Sequence, residues 1–194
     1  RAGSKGLKHK NIKKFSRDNL VNHTIKKIQK IREINKIFIL TDSIKYKKKI
    51  LVNSKINLDF PRSKKLSNDN SSVYDLVNSF IKWTNKKKYF LENIILMQVT
   101  SPLLSTKEIK DTLKFIQSKK IESLFHVTEM IENPHYCILG KDKKWKYILK
   151  HRMINRQKSK KFFFITGSLF FLIKKFFLKN KKFISTKSFA FQVS

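Results

Sequence analysis

The chain has 194 residues, 40% of them apolar, enough for one packed core and too many for a chain dominated by disorder. Its formal charge of +32 comes largely from 39 lysines against 6 arginines. Arginine is the side chain that reads phosphates and guanines in bidentate fashion, so lysines scattered over the whole length point to an AT-rich codon bias before they point to a nucleic-acid partner.

Residues 1–11 read RAGSKGLKHKN, with two glycines, a serine and several basic side chains ahead of a helical pattern. Glycines allow close backbone approach to a phosphate, and N–H groups with lysines neutralise it. The spacing is not that of a Walker loop, and chemistry alone leaves a phosphate cradle and a disordered basic terminus open. Residues 19–34 then carry Leu20, Ile25, Ile28 and Ile31 at helical period. Residues 36–40 (KIFIL) read as a short strand ending at Thr41-Asp42, and residues 44–52 as a short helix. Residues 70–83 place Val73, Leu76, Val77, Phe80 and Ile81 on one side of a helix. Residues 94–99 (IILMQV) form a buried strand. Ser105 and Glu108 make a capping box for a helix to about residue 117, and residues 124–128 are the next strand. Residues 129–161 break this alternation, as a hairpin excursion or a dimerisation arm within one domain spanning 1–194.

The longest uncharged apolar stretch, residues 162–173, falls short of the roughly 20 residues a bilayer span needs. Thr166, Gly167 and Ser168 interrupt it, so a strand pair or a strand–helix junction is expected there. The single cysteine, Cys137, excludes an intramolecular disulfide and fits a reducing cytoplasm. The five histidines are scattered, and His135 with Cys137 lacks the second pair a zinc site needs. Alternating strands and helices predict an α/β fold with a mostly parallel sheet flanked by helices. Polar clusters at strand ends (Thr41-Asp42, residues 98–102 and Thr128-Glu129) mark where such a sheet binds ligands.

In register, Arg1, Gly3, Ser4, Lys5, Gly6, Lys10 and Asn11 resemble the R-x-G-S-K-G-x-x-x-K-N signature of the acylneuraminate cytidylyltransferases. Further matches follow in that family's order. Thr41-Asp42 resembles its S-T-D strand end, and Pro61-Arg62 with Leu66 and residues 69–72 its R-P-x-x-L-x-x-D-x-x-S segment. Residues 98–103 (QVTSPL) resemble Q-P-T-S-P-L, and Val127-Thr128-Glu129 with Pro134 resembles the V-T-E strand and its proline. Arg156-Gln157 and Gly167-Ser168 resemble the late R-Q and N-G-A/S elements.

The resemblance implies a Rossmann-like nucleotidyltransferase fold, usually dimeric. It implies transfer of CMP from CTP to the anomeric hydroxyl of an acidic nine-carbon sugar, with Mg²⁺ and release of pyrophosphate. Arg1, Lys5 and Lys10 would be the catalytic cations, with Ser4, Gly6, Asn11, Arg62, Ser72 and Gln98 binding the nucleotide or the sugar. Asp42 is a candidate metal ligand. The sugar could equally be pseudaminate, legionaminate or 3-deoxy-manno-octulosonate. Val99, Leu104 and Thr166 depart from the family's Pro, Arg and Asn. The family pattern has an apolar strand before the arginine and a D-I-D pair after the position of Ser194, so a fragment or a decayed gene product is expected. A basic nucleic-acid-binding protein is the competing expectation from another class.

Overall fold

The computed structural model describes residues 6–141, 144–149 and 160–194. A hairpin of β1 (Lys14–Phe15) and β2 (Asp18–Asn19) leads into α1 (Leu20–Ile28), capped by the Asn19 side chain. Strand β3 (Ile37–Phe38), α2 (Ile44–Lys47) and β4 (Ile56–Asn57) follow, with β3 parallel to β4. Next come α3 (Val73–Lys86), β5 (Asn93–Met97), α4 (Thr106–Lys119) and β6 (Ser123–Glu129). The excursion holds an antiparallel hairpin, β7 (Ile138–Lys141) with β8 (Lys144–Tyr147). Strand β9 (Phe163–Ile173) runs straight into α5 (Lys174–Asn180), and β10 (Phe189–Gln192) completes the fold.

The largest sheet has the order β10-β6-β9-β5. Strands β10 and β6 are parallel, and β9 is antiparallel to both β6 and β5. Three of its four strands therefore point the same way, and their carboxyl ends share one edge. The apolar stretch at 162–173 is a strand–helix junction, with alternate residues facing opposite layers. Leu169 and Phe171 pack with Val21 and Ile25 of α1 and with Ile109 and Leu113 of α4. Leu172 packs with Val77 and Ile81 of α3 and with Phe176 and Phe177 of α5. Each such side chain, fully buried, contributes about 1.5–3 kcal/mol. The β3–β4 pair alternates likewise, with Ile37 in the α1/α4 core and Phe38 against the aromatic group of Phe60 and Phe80.

Two helices are shorter than their periodicity predicts. Helix α2 stops at Lys47 because a side chain from α1 takes its backbone partners. Asn22 Nδ2 donates to the Lys49 carbonyl at 3.0 Å, and its Oδ1 accepts from the Leu51 N–H at 2.9 Å. Helix α1 ends at Ile28, after which a turn still delivers Ile31 to the core, fully buried. The capping box of α4 forms as the sequence predicts.

Candidate active site

The carboxyl edge of the sheet carries a cleft of about 260 Å³, lined by residues 100–104, Thr166, Ser168, Val193 and Ser194. Three segments meet here: the turn after β5, the middle of β9 and the end of β10. Gly167 adopts a left-handed φ of +69°. A methyl group built there would lie 3.6 Å from Gln98 Nε2, an ordinary contact, so backbone conformation rather than space calls for glycine. Gln98 and Gly167, far apart in sequence, are thus neighbours, and the Gln98 N–H donates to the Ser168 carbonyl at 3.2 Å.

Helix α1 holds the lip of the cleft. Lys27 Nζ donates to the Pro102 carbonyl and, at 2.7 Å, to the Leu104 carbonyl. His23 Nε2 lies 3.2 Å from the same Pro102 oxygen, and its ring meets Phe15 of β1 edge-on at 5.0 Å. Burial lowers the Lys27 pKa against the opposing pull of the Glu108 carboxylate.

Behind the cleft lies a polar chain, buried at Thr112, His126 and Ser168, half-buried at Glu108 and exposed at Ser194. Glu108 Oε2 accepts from the Ser105 N–H and hydroxyl, and Oε1 accepts from the Ser194 hydroxyl at 2.8 Å. Burial works against this charge, but hydrogen bonds from Ser105 and Ser194 hold the carboxyl down at about 2. Thr112 Oγ1 donates to the Glu108 carbonyl at 2.7 Å and lies 2.9 Å from His126 Nε2. His126 Nδ1 lies 3.0 Å from Ser168 Oγ, which lies 2.8 Å from Thr166 Oγ1. The imidazole is wholly buried, and that burial pushes its pKa down to about 4 despite the Glu108 charge.

The opening loop is described from Gly6 onward and contributes no described residue to the lining of the cleft. Arg1, Ser4 and Lys5 lie outside the described residues, as do Arg156 and Gln157. Nothing described stands within 4 Å of a side chain built at Gly6. Lys10 and Asn11 belong to a 3₁₀ turn entered through His9 in the left-handed region. His9 Nδ1 lies 3.1 Å from Tyr46 Oη, which fastens this turn to α2 at the end of β3. Burial and the nearby Asp42 carboxylate raise the Tyr46 pKa. Asn11 Oδ1 is buried with no hydrogen-bond partner among the described residues.

The other predicted residues have local tasks. Arg62 donates to the Leu66 carbonyl through Nε and Nη2 and to the Leu40 carbonyl through Nη1 at 3.0 Å, tying its loop to the end of β3. Ser72 caps α3, accepting from the Asp75 N–H at 3.0 Å and donating to the Asp75 carboxylate at 2.7 Å. Asp42 is exposed one residue before the Ser43 cap of α2. No group of three His, Cys, Asp or Glu side chains among the described residues could hold a metal ion. Sequence reading missed His126, Thr112, His23 and Lys27, because each looks ordinary until the fold sets it against a partner 14 to 79 residues away.

A sheet flanked by helices on both faces, with polar turns gathered at the carboxyl ends of its parallel strands, defines an α/β protein of the nucleotide-binding type. The structure of a CMP:2-keto-3-deoxy-manno-octonic acid synthetase complexed with CTP shares the fold, with a TM-score of 0.67 at 9% identity over 99% of this chain and 87% of that one. The cytidylyltransferase family profile matches residues 1–184, and the chain belongs to that family. N-acylneuraminate cytidylyltransferases of Streptococcus agalactiae serotypes III, Ia and V are each 26% identical to it over 198 residues. The match takes in 100% of this chain and 46% of each relative, so the chain spans less than half their length.

Proposed function

We propose that this chain is the catalytic part of an N-acylneuraminate cytidylyltransferase, moving CMP from CTP to the anomeric hydroxyl of an acidic sugar and releasing pyrophosphate. The observation that carries the proposal is the meeting of residues 100–104 with Thr166 and Ser168 in one cleft at the carboxyl edge, with Gln98 beside Gly167. In this assignment the cleft takes the sugar and the opening loop takes the triphosphate. Attack at the α-phosphorus spreads negative charge over its non-bridging oxygens and the leaving pyrophosphate. Fixed cations at Arg1, Lys5 and Lys10 stabilise that charge most in the transition state. The buried Asn11 Oδ1 suits a donor such as the exocyclic amine of cytosine. Gln98, beside Gly167, would orient the sugar. Arg62 and Ser72 would act on the nucleotide through the loop and helix they hold. Magnesium would enter with the triphosphate, whose oxygens supply many of its ligands, and Asp42 is the side chain nearest in kind to a protein ligand.

Lysines lie on all five helices rather than along one, which favours compositional bias over a nucleic-acid track. No helix among the described residues is long and apolar enough to cross a membrane. Cytoplasmic residence belongs with the proposal, since CTP is a cytoplasmic substrate. So does a homodimer, supported by Phe164 of β9, 59% exposed, and Leu139 of β7, 60% exposed, in and beside the excursion.

The decisive experiment supplies CTP or ATP, Mg²⁺ and a panel of acidic sugars, and follows pyrophosphate release. Turnover with CTP and N-acetylneuraminate, but not with ATP, is expected. Absence of CTP binding by calorimetry would sink the proposal, and turnover confined to another acidic sugar would move the substrate.

A further inference from the structure

The hydrogen bonds behind the cleft fix which way each proton points. Thr112 has one hydroxyl proton, and it goes to the Glu108 carbonyl, which can only accept. Thr112 Oγ1 can therefore only accept from His126, so Nε2 carries the imidazole proton. A neutral imidazole has one N–H, which leaves Nδ1 an acceptor and makes Ser168 Oγ the donor. The Thr166 proton then goes to Ser168 Oγ at 2.8 Å or to the His126 carbonyl at 3.4 Å. In both arrangements it points away from the cleft. The Ser194 hydroxyl is committed to the Glu108 carboxylate in the same way.

Of the five hydroxyls lining the cleft, those of Thr166, Ser168 and Ser194 thus present only lone pairs to whatever enters, while those of Thr100 and Ser101 lie on the turn after β5. The ring that sets the order touches no solvent, and Phe191 of β10 lies 5.8 Å from it, centroid to centroid. We infer that His126, held as the Nε2–H tautomer, is a positioning residue that turns the Ser168 and Thr166 protons inward and so suits the β9 side of the cleft to the hydroxyl donors of a polyol. Carboxylates and phosphates, which only accept, are disfavoured at this wall. Assignment of the sugar to this cleft rests on the function proposed above; the proton order does not.

Two measurements separate these parts. Long-range ¹H–¹⁵N spectra of the labelled chain at neutral pH should show His126 with a protonated Nε2 and a bare Nδ1. A protonated Nδ1 overturns the inference, with no substrate involved. Steady-state kinetics then compare His126→Asn, whose Oδ1 replaces the Nδ1 acceptor, with His126→Gln, whose amide nitrogen replaces only Nε2. The Asn variant should keep the KM for N-acetylneuraminate within about twofold, and the Gln variant should raise it about tenfold, the worth of one hydrogen bond. Neither should move the KM for CTP. Equal rises in both variants, or a rise for CTP, overturn the positioning role. If the unsubstituted chain releases no pyrophosphate, the proposed function fails on its own account. Calorimetry of N-acetylneuraminate with the same variants then judges His126, and equal or absent binding overturns the inference.

Discussion

The cleft wall and the opening turn are built on different principles. The wall at β6, β9 and β10 is dense: His126, Thr112, Ser168 and Glu108 satisfy one another, and their hydrogen bonds exist before any ligand arrives. The described opening turn is sparser: His9 meets Tyr46, and a buried amide oxygen of Asn11 lacks a partner among the described residues. A wall whose hydrogen bonds are already made selects shape and hydrogen-bond polarity before a ligand arrives.

Substitutions should separate the two. The largest effect belongs to the opening turn. Lys10→Ala should lower kcat by about 10²–10³-fold, equivalent to about 2.7–4 kcal/mol of transition-state stabilisation. Its unfolding midpoint in urea should stay unchanged, and a stability loss matching the activity loss would erase the contrast.

Next comes the acid response of the dense wall. The His126 pKa drops from an ordinary 6.5 to about 4 on folding, so the unfolded chain binds more protons between those values. Stability should fall as pH drops through that window, by about 3 kcal/mol in total, and level off below it. Glu108, depressed from 4.5 to about 2, is likewise held in its deprotonated form, charged rather than neutral, and its stabilisation is lost as pH falls from about 4.5 to 2. Urea unfolding at pH 7 and pH 5 should show the first loss in the parent chain and little of it in His126→Asn.

A smaller effect, about 2 kcal/mol, is expected for Arg62→Ala, which removes charge-assisted bonds to the Leu40 and Leu66 carbonyls. Lysine should not restore it, because a single ammonium cannot span both acceptors in the planar geometry of the fork. The smallest is Glu108→Ala at pH 7, costing about 1 kcal/mol for the lost cap. Thermal melts of both variants would rank them, and reversal of that order would show that the start of α4 matters more than the β3 end.

The dense wall was the less legible of the two in the sequence. Ser105 and Glu108 announce a helix start at short range, and the order of strands and helices follows from local periodicity. The residues of the opening loop match a family pattern because they lie side by side in the chain. His126 offers no such cue: it sits at one apolar-looking position of a strand, and only the packing of α4 and β9 around it creates its role. The short α2 was illegible for a related reason, since Asn22 ends it from another helix.

Strand β9 also governs when this protein can fold. It pairs with β5 on one side and β6 on the other, so neither has its central neighbour until residues 163–173 exist. On the ribosome, β5 and β6 emerge before residue 163 with both of those edges bare and with Leu124 and Ile94 denied their cover. Long-range closure of this kind is slow and exposes sticky surface. Nascent chains halted before residue 163 should therefore be the ones that chaperones hold longest.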